Sequence, residues 1–217
     1  MNLEQARGNM IEQQLRAWEV LNEDVLQVLT SVPRECFVPA RYHNLAFADF
    51  GIPLGHGQTM MAPKVEGRML QALDIQPGDR ALEIGTGSGF VTACLARLAG
   101  RVESVDIFDD FVRDAASCLA ALDIHNINLS VGDAANGWRR DERFDTIAVT
   151  GSIPEYRSSF EQQLAVGGRL FVIVGERPVM SAMRVLRAGE QEFSRVRLFE
   201  TDLPPLLNTS RKPVFTL

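Results

Sequence analysis

Along the chain, apolar residues fall into short runs separated by glycine, proline and charged turns, and the period of each run identifies its element. From Leu3 to Val20 the positions Met10, Ile11, Leu15 and Trp18 recur at helical spacing. Asn22 is placed to cap a short second helix through Val25, Leu26, Val28 and Leu29, which Pro33 stops. A long irregular stretch follows, punctuated by Pro39, Gly51, Pro53, Gly55, Gly57 and Pro63. Loops of that length are uncommon in compact domains and usually serve a function. Pro63 opens a helix from Lys64 to Leu73, and Gln76-Pro77-Gly78-Asp79 is a turn signal.

From there the pattern alternates. Strand Ala81 to Ile84, helix Gly89 to Leu98, strand Val102 to Asp106 and helix Asp109 to Leu122 are followed by apolar runs at Ile127 to Val131, Phe144 to Val149 and Arg169 to Val174. Strands alternating with helices predict an α/β fold with a doubly wound, mostly parallel sheet. Met183 to Leu186 and Phe193 to Phe199 instead alternate apolar with polar residues across Ala188-Gly189-Glu190, the pattern of an antiparallel hairpin. No linker interrupts the chain. The expectation is one domain over residues 1–217, with residues 1–75 as a helical and loop cap and residues 76–217 as a Rossmann-like core.

Composition narrows the function classes. The chain has 217 residues, 46% of them hydrophobic, a net charge of -6 and a pI near 5.2. Lysine and arginine are scattered without a basic stripe, which argues against tracking a nucleic-acid backbone. The N-terminus lacks the basic start and apolar stretch of a signal peptide, and no run approaches the ~20 apolar residues of a membrane span, so a cytoplasmic protein without membrane contact is expected. Cys36, Cys94 and Cys118 are odd in number and far apart, which predicts buried free thiols and neither disulfide nor metal site. His43 and His125 read as surface residues.

Chemistry concentrates at Leu82-Glu83-Ile84-Gly85-Thr86-Gly87-Ser88-Gly89, with Asp106 ending the next strand. Gly85 suits a sharp exit from a strand, Gly87 close approach by a ligand, and Gly89 close packing of the following helix on the sheet. A carboxylate at Asp106 can accept from both hydroxyls of a ribose. The spacing is G-x-G-x-G, not the G-x-G-x-x-G that receives a pyrophosphate. Glu83 beside the loop opposes a pyrophosphate and suits a cationic sulfonium, so S-adenosylmethionine is favoured over NAD. Asp133, in Val131-Gly132-Asp133-Ala134, either accepts from an adenine amine at the same sheet edge or caps a turn. Gly55-His56-Gly57-Gln58-Thr59 brings donors and acceptors able to orient a ligand, or a turn that satisfies its own backbone. Thr150-Gly151-Ser152-Ile153-Pro154 lines a cleft or simply connects elements.

Val32-Pro33-Arg34-Glu35-Cys36-Phe37-Val38-Pro39, the Gly55–Thr59 segment, the glycine loop, Gly132-Asp133-Ala134 and Gly167-Gly168-Arg169-Leu170 occur in one order over most of the chain. Together they resemble the protein-L-isoaspartate O-methyltransferase family. The resemblance implies a class I S-adenosylmethionine-dependent methyltransferase that esterifies isoaspartyl carboxylates in proteins or peptides. By position, Glu83, Gly85, Thr86, Gly87, Ser88, Gly89, Asp106 and Ile107 would hold the methionine and ribose parts, and Asp133 with Ala134 the adenine. Gln58, Thr59 and Met61 would face the reacting centre. The family pattern Q-T-I-S-Q-P reads here Gln58-Thr59-Met60-Met61-Ala62-Pro63, so its serine is replaced by Met61, and V-P-L-T corresponds to Pro204-Pro205-Leu206-Leu207. Apolar groups thus replace hydroxyls on the substrate side, which leaves two further readings: a methyltransferase with another acceptor, or a cofactor-binding homologue without turnover.

Overall fold

A computed structural model describes residues 2–209; the ends of the expected 1–217 domain, residue 1 and residues 210–217, lie outside the described residues. The chain begins with α1 (Leu3–Asn9), capped by the Asn2 side chain. The continuous helix expected to Val20 does not persist. It opens into a wider π turn over Met10–Leu15 and tightens to a 3-10 turn at Arg16–Trp18, ending at left-handed Glu19. Asn22 caps α2 (Glu23–Ser31) through Val25 N–H. The stretch expected to be irregular contains two 3-10 turns, Arg34–Phe37 and Ala40–Leu45, and a two-stranded antiparallel ladder, β1 (Ile52–Gly55) with β2 (Gln58–Met60). The ladder spans only a few residues, too short for alternation to register as a strand pattern. Helix α3 (Pro63–Leu73) follows, with proline in its first turn.

The core then runs β3 (Arg80–Ile84), α4 (Phe90–Leu98), β4 (Arg101–Asp106), α5 (Asp109–Ala121), β5 (Ile127–Val131), β6 (Phe144–Ile153), α6 (Ser158–Glu161), β7 (Leu164–Glu176), β8 (Val179–Arg187) and β9 (Phe193–Thr201). The seven strands lie in the order β5-β4-β3-β6-β7-β8-β9. The first five are parallel, and β8 and β9 add antiparallel at one edge. The expected hairpin is present, but β8 begins earlier and also pairs along β7. Thr150 to Ile153, expected beyond the strand as cleft lining or a connection, is the end of β6, where a register shift between Ala148 and Ser152 accommodates the extra residues, and Thr150 and Gly151 line the cavity described below.

Strand parity assigns the two faces. Ala81, Val102, Ala148 and Phe171 join the core that holds α2, α3 and α4, whereas Leu82, Ile84, Val105 and Val172 join a smaller core closed by Phe160 of α6. Buried on both sides, β3 reads as an almost unbroken apolar run. Beyond Arg80 at its start, one charged position, Glu83, interrupts it.

Among the described residues no helix is long and apolar enough to cross a membrane, and no group of three or more His, Cys, Asp or Glu is arranged to hold a metal ion. Only Cys94 is a buried thiol; Cys36 is exposed and Cys118 half-buried, because the 3-10 turn and the outer side of α5 carry them outward. His43 and His125 are exposed, as expected.

Candidate functional site

Strand β3 lies between β4 and β6, so the connections leaving β3 and β6 run to opposite sides of the sheet. At that switch point an open sheet forms a crevice beyond its carboxyl ends. An open cavity sits there, lined by residues 83–88, Asp106, Ile107, Asp133 and Ala134 but not by Gly89. Asp106, 7% exposed, accepts from Gly87 N–H at 2.8 Å and Phe108 N–H at 3.0 Å. Burial raises its pKa, and those backbone donors offset part of the rise. The carboxylate therefore ties the loop to β4 as well as facing the cavity. Gly87 has φ +51°, and a Cβ there would lie 3.3 Å from Leu54 of β1, so a side chain at this position would crowd the roof of the cavity. Gly89 differs from expectation. Its added Cβ would meet Ala115 of α5 at 2.7 Å, so the glycine permits two helices to approach, not a helix and the sheet.

Glu83 pairs in register with Ser104 of β4, and parity places both beneath Thr92 of α4. Its Oε2 accepts from both hydroxyls, with Ser104 Oγ at 2.6 Å, while Oε1 is buried without a partner. Desolvation pushes its pKa up to about 8, against the lowering effect of those two bonds. The expected open counter-charge at the loop is thus a buried, mainly protonated acid at the cavity's inner wall. Thr86 Oγ1 lies 2.6 Å from Ser104 Oγ and extends the same network. Ser88 Oγ accepts from Phe90 N–H at 3.4 Å, at the start of α4. Asp133 caps a turn, one of the two readings expected for it, and also lines the cavity. Oδ1 caps Ala135 N–H at 2.9 Å, and Oδ2 accepts from Asn208 at 2.9 Å while the residue lines the cavity.

The other end is assembled from the β1–β2 ladder and the C-terminal segment. Gln58 and Thr59 are half-buried and line the cavity beside Met60 and Met61, which are buried. His56, at the ladder's tip, stacks on Phe108 with ring centroids 4.0 Å apart and pairs with Asp110 at 2.8 Å. It orients the ladder over α5 and does not line the cavity. Opposite, Ser152 N–H donates to Pro204 O and Leu206 N–H to Ser152 O, which brings Leu206 and Leu207 to the wall. Thr150 Oγ1 donates to Ile84 O at 2.8 Å and Gly85 O at 2.5 Å, fixing the exit of β3.

The family model for protein-L-isoaspartate(D-aspartate) O-methyltransferase (PCMT) matches residues 5–209. This chain belongs to that family. It is 39% identical over 191 residues to protein-L-isoaspartate O-methyltransferase 1 of Rhodopseudomonas palustris, covering 88% of this chain and 77% of the relative. Identity to the enzyme of that name from Anaeromyxobacter sp. is 42% over 183 residues, 84% of each chain. A crystal structure from Plasmodium falciparum, assigned as a protein-L-isoaspartate O-methyltransferase and solved with S-adenosyl-L-homocysteine, superposes with a TM-score of 0.77. At 21% identity, covering 91% of this chain and 96% of that one, it shows the shared fold.

Within this isoaspartyl methyltransferase fold, sequence reading overlooked two residues. Arg34, inside the V-P-R-E motif, is fully buried and donates to Ala46 O and Met61 O, each at 2.7 Å, and to Glu66 Oε2. Its guanidinium also lies 4.8 Å from the Phe90 ring centroid. Glu66 is 1% exposed and lines the cavity. Desolvation lifts its pKa to about 7 although Arg34 acts to lower it. The signal was present: Glu66 stands three, four and seven residues before Met69, Leu70 and Leu73, on the buried stripe of α3.

Proposed function

We propose that this protein is an S-adenosylmethionine-dependent methyltransferase that esterifies isoaspartyl carboxylates in proteins or peptides. The observation that carries the reading is one cavity in which the glycine loop, Asp106 and Asp133 meet Gln58, Thr59, Met60 and Met61, in a chain that the family model matches over residues 5–209. The residues fit the cofactor. Asp106 offers two carboxylate oxygens to a ribose, Asp133 and Ala134 flank a place for adenine, and Gly87 leaves the loop backbone accessible. In this reading residues 1–75 are the cap of a single methyltransferase unit, with Gln58, Thr59 and Met61 at the reacting centre.

Bound there, S-adenosylmethionine supplies an electrophilic methyl carbon. An isoaspartyl carboxylate is ionised at neutral pH and needs no base from the chain. What the chain supplies is placement and exclusion of water. Gln58 and Thr59 bring the polar groups that orient an acceptor, and the Met60, Met61, Leu54 and Leu206 side chains keep the surrounding wall dry. The acidic net charge supports a protein or peptide acceptor over nucleic acid.

The test is methyl transfer to an isoaspartyl peptide and to its normal aspartyl twin. The expected product forms on the first peptide alone and releases methanol in mild base, as an ester does. A base-stable product, or equal labelling of the twins, rejects the proposal. Buried Met60 and Met61 also favour a second reading, transfer to a more apolar acceptor. Cofactor binding with no isoaspartyl transfer, and labelling of a different acceptor in extract, would select it; binding without turnover on any acceptor would leave a scaffold.

A further inference from the structure

Two carboxylate oxygens at the inner wall have no hydrogen-bond partner: Glu66 Oε1 and Glu83 Oε1. Both residues line the cavity and are almost wholly buried. A buried acceptor left unpaired is costly, and one beside a cavity is available to be completed by what the cavity binds. In each case the other oxygen is committed, Glu66 Oε2 to Arg34 and Glu83 Oε2 to Thr92 and Ser104. One oxygen orients each acid and the second is left unpaired beside the cavity.

An ionised carboxylate oxygen is acceptor-only, so a donor completes both, and a cation placed against them would draw the two acids into their charged forms, of which only Glu66 has a guanidinium partner. Asp106 and Asp133 take the adenosine end of the cavity in the proposed function. What remains of S-adenosylmethionine is its amino-acid end, whose only nitrogen is the α-ammonium, with three N–H donors. Resting on that function, we infer that Glu66 is a cofactor-binding residue, accepting with Glu83 from the α-ammonium of S-adenosylmethionine. Arg34 is its positioning residue. The same guanidinium holds Met61 O, so the anchor of the cofactor's amino-acid end and the wall of the acceptor site share one support.

Calorimetry on the whole protein tests this with three ligands: S-adenosylhomocysteine, its deaminated analogue and methylthioadenosine, which lacks the amino-acid end. The wild type is expected to bind the deaminated analogue about tenfold to a hundredfold more weakly than S-adenosylhomocysteine, the loss of a charge-assisted bond. Glu66→Gln should weaken S-adenosylhomocysteine by about tenfold or more, leave methylthioadenosine unchanged, and add little to the effect of deamination. If Glu66→Gln does not fold, Arg34→Met combined with Glu66→Met removes the buried pair together and should show the same ligand pattern. Equal losses for S-adenosylhomocysteine and methylthioadenosine, or full additivity with deamination, overturn the assignment. A wild type that binds none of the three overturns the proposed function, and this inference with it; tight methylthioadenosine binding with indifference to the ammonium overturns the inference alone.

Discussion

The two ends of the cavity are built by different means. At the glycine-loop end the backbone does most of the work: three strand ends meet at the switch point, Asp106 holds the loop by Gly87 and Phe108 N–H, and Thr150 locks the exit of β3. At the acceptor end side chains and distant segments do it, with Arg34 behind Met61, the β1–β2 ladder and Leu206 converging from separate parts of the chain. The first end is local and tolerant of sequence around fixed points. The second depends on a few buried contacts, and its specificity can drift while the fold persists.

The sharpest way to break this comparison is to remove the support of the acceptor end. Arg34→Ala leaves Glu66 buried without its partner and frees Met61 O and Ala46 O from their donor. Breaking a buried pair from one side costs about 3–5 kcal/mol. Chemical denaturation should show a loss of that size. A loss below about 1 kcal/mol, the range of an exposed pair, would mean that the pair is solvated and supports nothing.

The buried acids also tie stability to pH. Glu66 and Glu83 have folded-state pKa values of about 7 and about 8, above an ordinary value of 4.5. Between 4.5 and those values the folded state keeps protons that the unfolded state has released. Stability is therefore greatest at the low end of that window and falls as pH rises toward 8, by at most about 1.4 kcal/mol per pH unit for each group. Melting temperatures of the ligand-free protein from pH 5 to pH 9 should decline and then level. Glu83→Gln, neutral throughout, should flatten the slope above pH 7; an unchanged slope would assign the dependence to other groups.

Asp106→Ala probes the other end. Loss of ribose contacts should weaken S-adenosylhomocysteine by about 1–3 kcal/mol. Because the carboxylate also secures Gly87 and Phe108, part of that loss should appear with methylthioadenosine too, in contrast to the expected behaviour of Glu66→Gln. Equal binding by the variant and the wild type would remove Asp106 from the cofactor site.

These contrasts explain what could be read from the sequence. Glu83, Gly85, Gly87 and Asp106 announce themselves because strand, loop and helix are consecutive and each glycine answers a backbone demand. Gly89 was located for the wrong neighbour, since nothing local reveals that Ala115 of α5 would pack on it. Arg34 and Glu66 lie thirty-two residues apart, and only the fold brings them together. The ladder at Ile52–Met60 was missed because it is short and flanked by proline and glycine, so its order comes from pairing and from His56 on Phe108. Thr150–Ile153 was expected beyond the strand because its glycine and polar residues break the apolar run, although parallel pairing with β7 continues through the bulge.

The smallest expected effect bears on specificity. Met61→Ser restores a hydroxyl where the family pattern has serine, in a wall that otherwise consists of Met60, Leu54 and Leu206 with Gln58 and Thr59. One added hydrogen bond to an acceptor is worth about 1 kcal/mol, so kcat/KM on an isoaspartyl peptide should rise by roughly fivefold to tenfold. Removing a buried methionine costs stability at the same time, because the smaller side chain leaves space that Arg34 and β2 hold open. Cofactor affinity should not move, since Met61 meets the cavity at the acceptor end. A gain in isoaspartyl transfer with constant cofactor affinity would show that the two ends are separable. If cofactor affinity falls in parallel, the two ends are coupled through the shared Arg34, and the division between them is one of architecture but not of energetics.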